Sequence, residues 1–241
     1  MIDCLGILVF THPQKGVDFI RRIDYPVKKM VIINNSVKGH DFWADKCSRN
    51  EMIQEYEIHT QPNTGTCLGW NKIIKSSPLA RYWMIFNDDM VLGPGVLEQM
   101  VDETLKHSEG LTCAGTYHFG AMSLYSKTVE EVGLFDENIY PCYMEDWDYH
   151  WRMECAGLDM YKIEGLDVQH PEVTTNFTDN PSWHLKNQKI QEQYLRPYYL
   201  RKWGGYRTQE IYTTPWNSGQ RNLWKFDLGM RKGIERILQE G

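Results

Sequence analysis

The sequence predicts an α/β protein with a mainly parallel central sheet flanked by helices and with a C-terminal helical extension. Short apolar runs alternate with segments of helical period through the first half of the 241-residue chain, which is the pattern of β-α-β units. Beyond residue 180 the pattern is helical and basic. Because 41% of the residues are hydrophobic, one substantial core is expected, with a main body at 1–180 and an extension at 181–241.

Four strands and three helices are predicted in the first half of the chain. Each strand is a short, mostly apolar run, and each helix repeats its apolar residues at helical spacing. The last helix shows this best, because Val96, Leu97 and Met100 share one face and Pro94 lies near its first turn, where a missing N–H does no harm. The strands are predicted at 5–10, 30–33, 55–59 and 82–86, and the helices at 17–23, 67–75 and 96–105.

The second half alternates less regularly. Gly157 is a typical helix terminator and Ser182 a typical helix cap, so they set the predicted end of one helix and the start of another. A terminal helix is predicted from an amphipathic pattern near the C-terminus. The strands are predicted at 111–115, 121–125, 159–163 and 166–169, and the helices at 127–133, 144–157, 182–205 and 222–239.

Charge is distributed unevenly along the chain. The formal net charge is −6, which argues against a general nucleic-acid binder. Residues 1–183 carry 15 Lys and Arg against 27 Asp and Glu, whereas residues 184–241 carry 11 against 5. The basic extension packs across the acidic body, forms a dimer contact or follows a phosphate backbone, and packing is favoured because the whole chain is acidic and helix faces are commonly charged. Its basic and aromatic residues are Arg196, Arg201, Lys202, Trp203, Arg207, Arg221, Trp224, Lys225, Arg231 and Lys232.

The six cysteines are scattered and form no C-x-x-C pair, which favours reduced structural thiols over a disulfide framework or a zinc cluster. The N-terminal apolar run lacks a preceding Lys or Arg and a small-residue cleavage site, so no signal peptide is expected. No transmembrane segment is expected either, because no run approaches the roughly 18 apolar residues that a membrane span needs. These features predict a cytoplasmic protein.

Polar residues follow four of the predicted strands. In an open parallel sheet, ligands bind beyond the carboxyl ends of the strands. Taken singly, the Asn and Gly residues are ordinary turn formers, but two carboxylates directly after an apolar strand are costly unless a cation or solvent receives them. Together they favour a nucleoside diphosphate held through Mg²⁺ or Mn²⁺. The four groups are Thr11–His12, Asn34–Ser36, Pro62–Gly65 and Asn87–Asp89.

A second acidic cluster, Glu145, Asp146 and Asp148, lies at the predicted start of a helix and among aromatic residues. The helix N-terminus explains one of these acids, or two, but not three. A partly desolvated carboxylate beside aromatic rings is suited to be a general base in a sugar site. His170, at the end of a strand, is by its position alone more typical of a packed side chain than of a ligand.

Six motifs in order resemble the nucleotide-sugar glycosyltransferases of the GT-A (Rossmann-like) fold. They are "ILVFTHP", "VIINNS", "QPNTGTCLGWNKI", "FNDDMV", "GLFDENIYPCYMEDWDYHWRMECAG" and "DVQH". Within that fold the chain resembles family 2, in its rhamnosyl- and galactofuranosyltransferase-like members. The resemblance spans roughly residues 5 to 172, and the segments "YYLRKWGG" and "TTPWN" resemble C-terminal regions of viral and phage-encoded transferases.

The resemblance implies a donor site for a nucleoside-diphosphate sugar. It places Asp89 as ligand of the divalent ion, Mn²⁺ or Mg²⁺, and His170 as the residue that completes the metal site in some relatives. The matching donor positions are Thr11, Asn34 and Ser36 for base and ribose, Asn63, Gly65 and Asn71 beside the nucleotide, and Asn87 and Asp88 in the D-x-D segment. The sequence departs from the family at Asn34 and Asn87, where acids are usual, and at Leu68 and Ile73, where small residues are usual.

The resemblance also implies an inverting reaction in which Asp146 is the catalytic base and Glu145 its acidic neighbour. The expected acceptor is a hydroxyl of a glycan or glycolipid, and a hydroxymethylated DNA base is a second candidate because the extension is basic. Two rival functions stay open. Nucleotidyl or phosphoryl transfer could use the same acids, although no G-x-x-x-x-G-K-[ST] loop occurs, and a non-catalytic module could bind nucleotide sugars without turnover.

Overall fold

A computed structural model describes residues 1–170, 181–223 and 225–239, and leaves the side chain of Tyr117 undescribed. These residues form two compact units. The first unit contains Met1–Thr64, Gly69–Glu131 and residues 158–170, and the second contains Gly65–Leu68, Val132–Gly157 and the described residues from 181 onward. These limits fall at different places from the predicted boundary at residue 180, and the assignment of 1–180 to one catalytic domain stays a prediction.

The first unit is built on a seven-stranded sheet, which confirms the predicted α/β class. The strand order is β3-β2-β1-β4-β7-β6-β8; the first four strands are parallel, and β7 is antiparallel to both of its neighbours. A small antiparallel pair, β5 and β9, stands apart from it. The strands are β1 Cys4–Val9, β2 Val27–Asn34, β3 Ile53–Thr60, β4 Tyr82–Asn87, β5 Val91–Leu92, β6 Leu111–Ala114, β7 Ala121–Tyr125, β8 Met160–Ile163 and β9 Val168–Gln169.

The helices follow the predicted order with one addition. Helix α2 was not predicted, because it buries only Trp43 and Cys47 and therefore shows little apolar periodicity. The helices are α1 Pro13–Arg21, α2 His40–Ser48, α3 Thr66–Ser76, α4 Val96–Lys106, α5 Ser126–Val132, α6 Glu145–Ala156, α7 Pro181–Ile190, α8 Arg196–Trp203 and α9 Leu228–Gln239. A π turn at Gln191–Leu195 joins α7 to α8, and short 3₁₀ turns lie at Gly115–Gly120 and Pro215–Asn217.

The predicted terminal helix at 222–239 begins too early. Helix α9 starts at Leu228, directly after Asp227, whose Oδ1 accepts a hydrogen bond from the N–H of Met230 at 2.9 Å. An aspartate before the first turn satisfies N–H groups that have no partner inside the helix, so it favours a helix start at this point. Residues 225–227, directly before it, are therefore not helical.

Close contact between α3 and β1 is possible because β1 contains Gly6. A Cβ at this position would lie 2.4 Å from Cγ2 of Ile73 on α3. Ile73, which departs from the small residue usual in the resembling family, is fully buried in this contact. It packs on the sheet and thereby fixes the distance of α3 from β1.

None of the helices in the described part of the chain combines the length and the apolar composition that crossing a membrane requires.

Candidate functional site

The carboxyl ends of the central parallel strands lie level with one another in the first unit. Leu8 pairs with Asn87 on one side of β1, and Val9 pairs with Asn34 on the other. The strand order reverses direction at β1, since β2 and β3 lie to one side of it and β4 to the other. Such a reversal opens a crevice beyond the strand ends, where ligands bind in open α/β sheets.

Asp88 connects the two strands that flank this reversal. Its Oδ2 accepts a hydrogen bond from the backbone N–H of Phe10 at 3.2 Å, so the residue after β4 holds the loop after β1. Burial raises the pKa of Asp88 to about 7, and the neighbouring charge of Asp89 adds to this shift, while the Phe10 N–H and Lys15 oppose it. Asp88 thus fixes the loop that carries Thr11.

Asp89 and His170 meet at the same edge of the first unit. The Asp89 Oδ1 lies 2.9 Å from the His170 Nε2, and their side chains are 12% and 16% exposed. The short strands explain this contact, because β5 follows Asp89 by two residues, β9 directly precedes His170, and Val91 pairs with Gln169. The chain therefore brings together two residues that are 81 positions apart.

An aspartate oxygen and an imidazole nitrogen at hydrogen-bonding distance can both turn to a divalent cation. In the described residues, this site included, no group of three or more His, Cys, Asp or Glu side chains is gathered closely enough to hold a metal by itself. Two protein ligands fit a cation that completes its shell with substrate phosphates and water, as Mg²⁺ and Mn²⁺ sites of nucleotide-binding enzymes do. The residues present therefore fit the predicted metal.

Asn34 organises the loop that follows β2. Its Oδ1 accepts hydrogen bonds from the N–H and the hydroxyl of Ser36 at 3.0 and 2.7 Å, and its Nδ2 donates to the carbonyl of Lys38 at 2.6 Å and to Thr60 Oγ1 at 3.2 Å. An amide side chain has two donor hydrogens and two acceptor lone pairs, so all four positions are used. Asn34 is fully buried, whereas Thr11 is exposed and its Oγ1 lies 2.9 Å from His12 Nδ1.

The predicted asparagine-glycine segment is divided between the two units. Asn63 and Asn71 belong to the first unit, where Asn71 is fully buried. Gly65 belongs to the second unit and has φ +89°, which favours glycine. A Cβ on Gly65 would lie 2.7 Å from the ring of Tyr140 and 2.8 Å from the carbonyl of Pro141. The turn at Gly65 therefore requires a residue without a side chain.

Glu145 and Asp146 begin helix α6 in the second unit, and both are partly buried. Burial raises the pKa of Glu145 to about 8, and the adjacent charge of Asp146 adds to the shift. Among the described residues, the Oε2 atom of Glu145 has no hydrogen-bond partner. A carboxyl that is neutral at pH 7 beside a second acid is suited to proton transfer.

Asp148, the third acid of this cluster, points into the core of the second unit and has a structural role. Its Oδ1 accepts hydrogen bonds from Lys202 Nζ at 2.6 Å and Trp203 Nε1 at 2.9 Å, and its Oδ2 accepts one from Arg152 Nε at 3.0 Å. Asp148 is fully buried, and the two cations are 1% and 6% exposed. This buried ion network thus accounts for Asp148, the third acid of the cluster, which the helix N-terminus does not explain.

Asp136, which completes the network, was not predicted as a site residue, and Lys202 was predicted only as one of the basic residues of the extension. Lys202 Nζ donates to Asp136 Oδ2 at 2.7 Å, and Tyr198 OH donates to the same oxygen at 2.6 Å. Burial opposes ionisation of Asp136, but the Lys202 charge and these hydrogen bonds together lower its pKa. One pair of this network could be predicted from the sequence, because Asp148 and Arg152 are four residues apart and therefore lie on the same face of a helix.

The aromatic residues of the α6 region mostly pack within the second unit. Tyr149 stacks on Phe135 at 4.1 Å, and Trp151 Nε1 donates to the carbonyl of Tyr212 at 3.0 Å. The guanidinium of Arg231 lies 3.8 Å from the ring centre of Tyr140, and that of Arg207 lies 5.3 Å from Trp147. The predicted aromatic cluster is therefore largely structural.

The predicted basic extension contains both packed and exposed cations. Lys202, Arg207 and Arg231 make the contacts described above. Several other cations lie exposed on the surface of the second unit, and Trp224, which belongs to the same predicted set, falls outside the described residues. The exposed members are Arg196, Arg201, Arg221, Lys225 and Lys232.

The sequence is 32% identical over 129 residues to a galactofuranosyl glycosyltransferase of Leishmania donovani, and the match covers 45% of this chain and 30% of that protein. No family model matches the sequence. The chain thus spans less than a third of the length of this relative, and the similarity covers less than half of the chain itself.

Solved structures of glycosyltransferases share the fold. A mannosyltransferase from Pyrobaculum calidifontis in complex with GDP-Man and Mn²⁺ has a TM-score of 0.58 and 12% identity, over 76% of this chain and 61% of that chain. GalNAc-T7 with UDP, GalNAc and Mn²⁺ has a TM-score of 0.53 and 9% identity, over 70% of this chain and 44% of that chain. The predicted GT-A glycosyltransferase fold is therefore confirmed.

Proposed function

We propose that this protein is a glycosyltransferase that moves a sugar from a nucleoside-diphosphate donor to an acceptor hydroxyl with the aid of a divalent cation. The contact between Asp89 and His170 at the carboxyl end of the sheet is the observation that carries this proposal. It supplies oxygen and nitrogen ligands beyond the carboxyl ends of the strands, where ligands bind in open α/β sheets. Two solved structures of similar fold, one with GDP-Man and one with UDP and GalNAc, also contain Mn²⁺.

Asp89 and His170 would hold the cation in this proposal. A bound divalent ion neutralises charge on the leaving nucleoside diphosphate. Asp88 supports the site because it holds the loop after β1, and Asn34 keeps Ser36 in position at the end of β2. Thr11, Asn63, Gly65, Asn71 and Asn87 complete the proposed donor site.

Asp146 acts as the catalytic base in the proposed reaction. It takes the proton of the acceptor hydroxyl as that oxygen attacks the anomeric carbon, the bond to the diphosphate breaks, and the configuration at the anomeric carbon inverts. Glu145, whose pKa is raised to about 8, stays neutral beside Asp146 at pH 7 and leaves the negative charge on its neighbour. Inversion and membership of family 2 belong to this proposal.

A donor screen tests the proposal. UDP- and GDP-linked sugars, including galactofuranose and mannose donors, are incubated with Mn²⁺ or with EDTA, and release of nucleoside diphosphate is measured with glycan and glycolipid acceptors. Asp146→Asn should abolish transfer and retain donor binding, whereas Asp89→Ala should weaken donor and metal binding together. Full activity of Asp146→Asn would make the assignment of the base wrong.

Two controls separate the rival functions. Release of pyrophosphate from a nucleoside triphosphate, without turnover of any nucleotide sugar, would indicate nucleotidyl transfer instead. Donor binding without hydrolysis or transfer under every acceptor would indicate a binding module. A cytoplasmic site of action remains part of the prediction and is tested by fractionation of cells that express the tagged chain.

A further inference from the structure

A cavity of about 570 Å³ lies within the second unit, at the C-terminal helices. Cavities of roughly 300–1,000 Å³ hold small molecules, so this one matches a ligand of one or two sugar rings. Its lining combines aromatic rings with charged groups, which is unusual for a packing defect because such defects are apolar. The lining includes Tyr198, Arg201, Trp216, Lys225, Phe226 and Asp227.

The aromatic wall of this cavity is fixed in position yet exposed. Trp216 is 36% exposed and Phe226 is 51% exposed. The Trp216 ring lies edge-on to Tyr198 with centroids 6.1 Å apart, and the Tyr198 hydroxyl donates to Asp136 Oδ2 at 2.6 Å in the buried network. Trp216 also has φ 53° and ψ 26°, a left-handed conformation that disfavours large side chains. Backbone strain that keeps a large ring partly in solvent is typical of ligand sites.

The charged part of the cavity has an excess of positive charge. Within the described chain, neither the Arg201 guanidinium nor the Lys225 ammonium has a hydrogen-bond or ion-pair partner, and both residues are exposed. Asp227, the acid of the lining, is engaged by its hydrogen bond to the Met230 N–H at the start of α9. Two cations without partners, beside a carboxylate that already accepts a hydrogen bond, favour an anionic ligand.

The loop that carries these groups is preorganised. The Asn138 side chain donates to the carbonyl of Lys225 at 2.8 Å and accepts from the N–H of Asp227 at 2.6 Å. Asn138 is itself held by Asp136 Oδ1 at 3.0 Å. The buried ion network therefore positions both the aromatic and the cationic parts of the lining, and a preorganised site loses less entropy when it binds.

We propose that this cavity is a binding subsite for an anionic sugar, and that it receives the part of the acceptor saccharide that bears a phosphate or a carboxylate. Trp216 and Phe226 contact the apolar C–H face of the sugar ring, and Arg201 and Lys225 bind the anionic group. The assignment to an acceptor rests on the proposed function, but sugar binding can be measured without turnover. A nucleic-acid strand fits less well, because the net charge of the chain is −6 and the cavity is small.

Ligand-observed NMR and calorimetry with the full chain test the proposal. The probes are glucose 6-phosphate, glucuronate, glucose and a short single-stranded oligonucleotide, each without donor or metal. We expect the two anionic sugars to bind at least tenfold more tightly than glucose, and the ratio of phosphate to carboxylate affinity identifies the preferred group. Arg201→Gln and Lys225→Gln should each weaken anionic-sugar binding about tenfold, and Trp216→Ala should weaken the binding of every sugar.

Matched controls lie on the same unit but outside the cavity. Arg196→Gln removes an exposed cation from the same helix as Arg201, and Tyr206→Ala removes an aromatic ring that is 44% exposed; both should bind the probes as the unaltered chain does. Unchanged sugar affinity in the Arg201 and Trp216 variants, or Arg201-dependent binding of the oligonucleotide alone, would overturn the proposal. Failure of nucleotide-sugar binding by the unaltered chain would overturn the proposed function and the assignment to an acceptor, and it would leave the anionic-sugar site itself standing.

Discussion

Glu145 makes the stability of the protein depend on pH in a definite direction. Burial, together with the charge of Asp146, raises the pKa of Glu145 from its usual 4.5 to about 8. A raised folded-state pKa contributes stability that is fully present below 4.5 and is lost as the pH rises through 8. In this range Glu145 should make the free energy of unfolding fall by at most about 1.4 kcal/mol per pH unit. Glu145→Gln should remove this decrease.

Urea denaturation of the two proteins at pH 6 and pH 9 measures this effect. The variant should lose less stability than the unaltered chain between these values. Glu130→Gln is the matched control, because Glu130 is exposed and its replacement should leave the slope unchanged. Equal slopes for Glu145→Gln and the unaltered chain would show that Glu145 is ionised in the folded state.

Asp89 and His170 should act as one binding unit for Mn²⁺. Asp89→Asn should weaken Mn²⁺-dependent binding of a nucleoside diphosphate at least tenfold, or by about 1.4 kcal/mol or more, because a carboxylate ligand becomes a neutral amide. His170→Ala should weaken it less, and the double variant should lose less than the sum of the two, since side chains in contact couple.

Calorimetric titration with UDP and GDP, with Mn²⁺ or EDTA, measures each variant. Asp41→Asn serves as the control, because the Asp41 side chain is fully exposed and distant in sequence from both residues. If the losses of binding free energy in the two single variants add up to the loss in the double variant, Asp89 and His170 do not share a cation. If the unaltered chain binds UDP or GDP equally well in Mn²⁺ and in EDTA, no metal takes part in binding.

At the scale of secondary-structure elements, local pattern predicted the strands well and irregular segments poorly. The first, fourth and seventh strands fall within a residue or so of prediction, because each is a short apolar run between polar residues. Helix α2 was missed because its apolar face is only two residues wide, and the start of α9 was placed too early because Asp227 was not recognised as its cap. The pairing of β5 with β9 has no local signal, since each strand has two residues.

The turn at Gly65 provides a test at this scale. Gly65→Ala combines an unfavourable φ of +89° with a Cβ that lies 2.8 Å from a backbone carbonyl, and should cost about 2–4 kcal/mol of unfolding free energy. Gly165→Ala has φ +76° but open space, and should cost about 1 kcal/mol. Gly39→Ala has neither problem, and the lower entropy of the unfolded chain offsets the weaker capping of α2 by Ala, so it should be close to neutral. Thermal and urea unfolding of the three variants should follow this order, and a stable Gly65→Ala would mean that the turn has another conformation.

At the scale of the whole molecule, the sequence predicted the fold class and the order of the elements of the first unit more fully than the packing of the second unit. The meeting of Asp89 and His170 was expected only from the resemblance, because the two-residue strands β5 and β9 that bring these side chains together have no local signal. The ion network could not be predicted, because Asp136, Asp148 and Lys202 are separated by up to 66 positions and only tertiary packing brings them together. Charge counting favoured packing of the basic extension but did not indicate which of its cations are buried, and Lys202 is only 1% exposed.

Lys202 should therefore be essential for the stability of the second unit. Lys202→Met keeps the volume of the side chain but leaves Asp136 and Asp148 buried without their shared ammonium group, and should cost about 3–5 kcal/mol. Lys232→Met, at an exposed position of α9, should change stability by less than about 0.5 kcal/mol. Urea denaturation followed by near-ultraviolet circular dichroism measures both variants.

The pH dependence of Lys202→Met distinguishes a lost ion network from lost packing. The pKa of Asp136 is lowered in the unaltered chain, so the stability that Asp136 contributes is present above its unfolded pKa and is lost as the pH falls through the folded value. Without Lys202, burial instead favours the protonated carboxyl, and the variant should lose less stability than the unaltered chain on acidification from pH 7 to pH 4. If Lys202→Met is less stable than the unaltered chain by the same amount at both pH values, Lys202 acts through packing, because only its ionic contribution depends on pH.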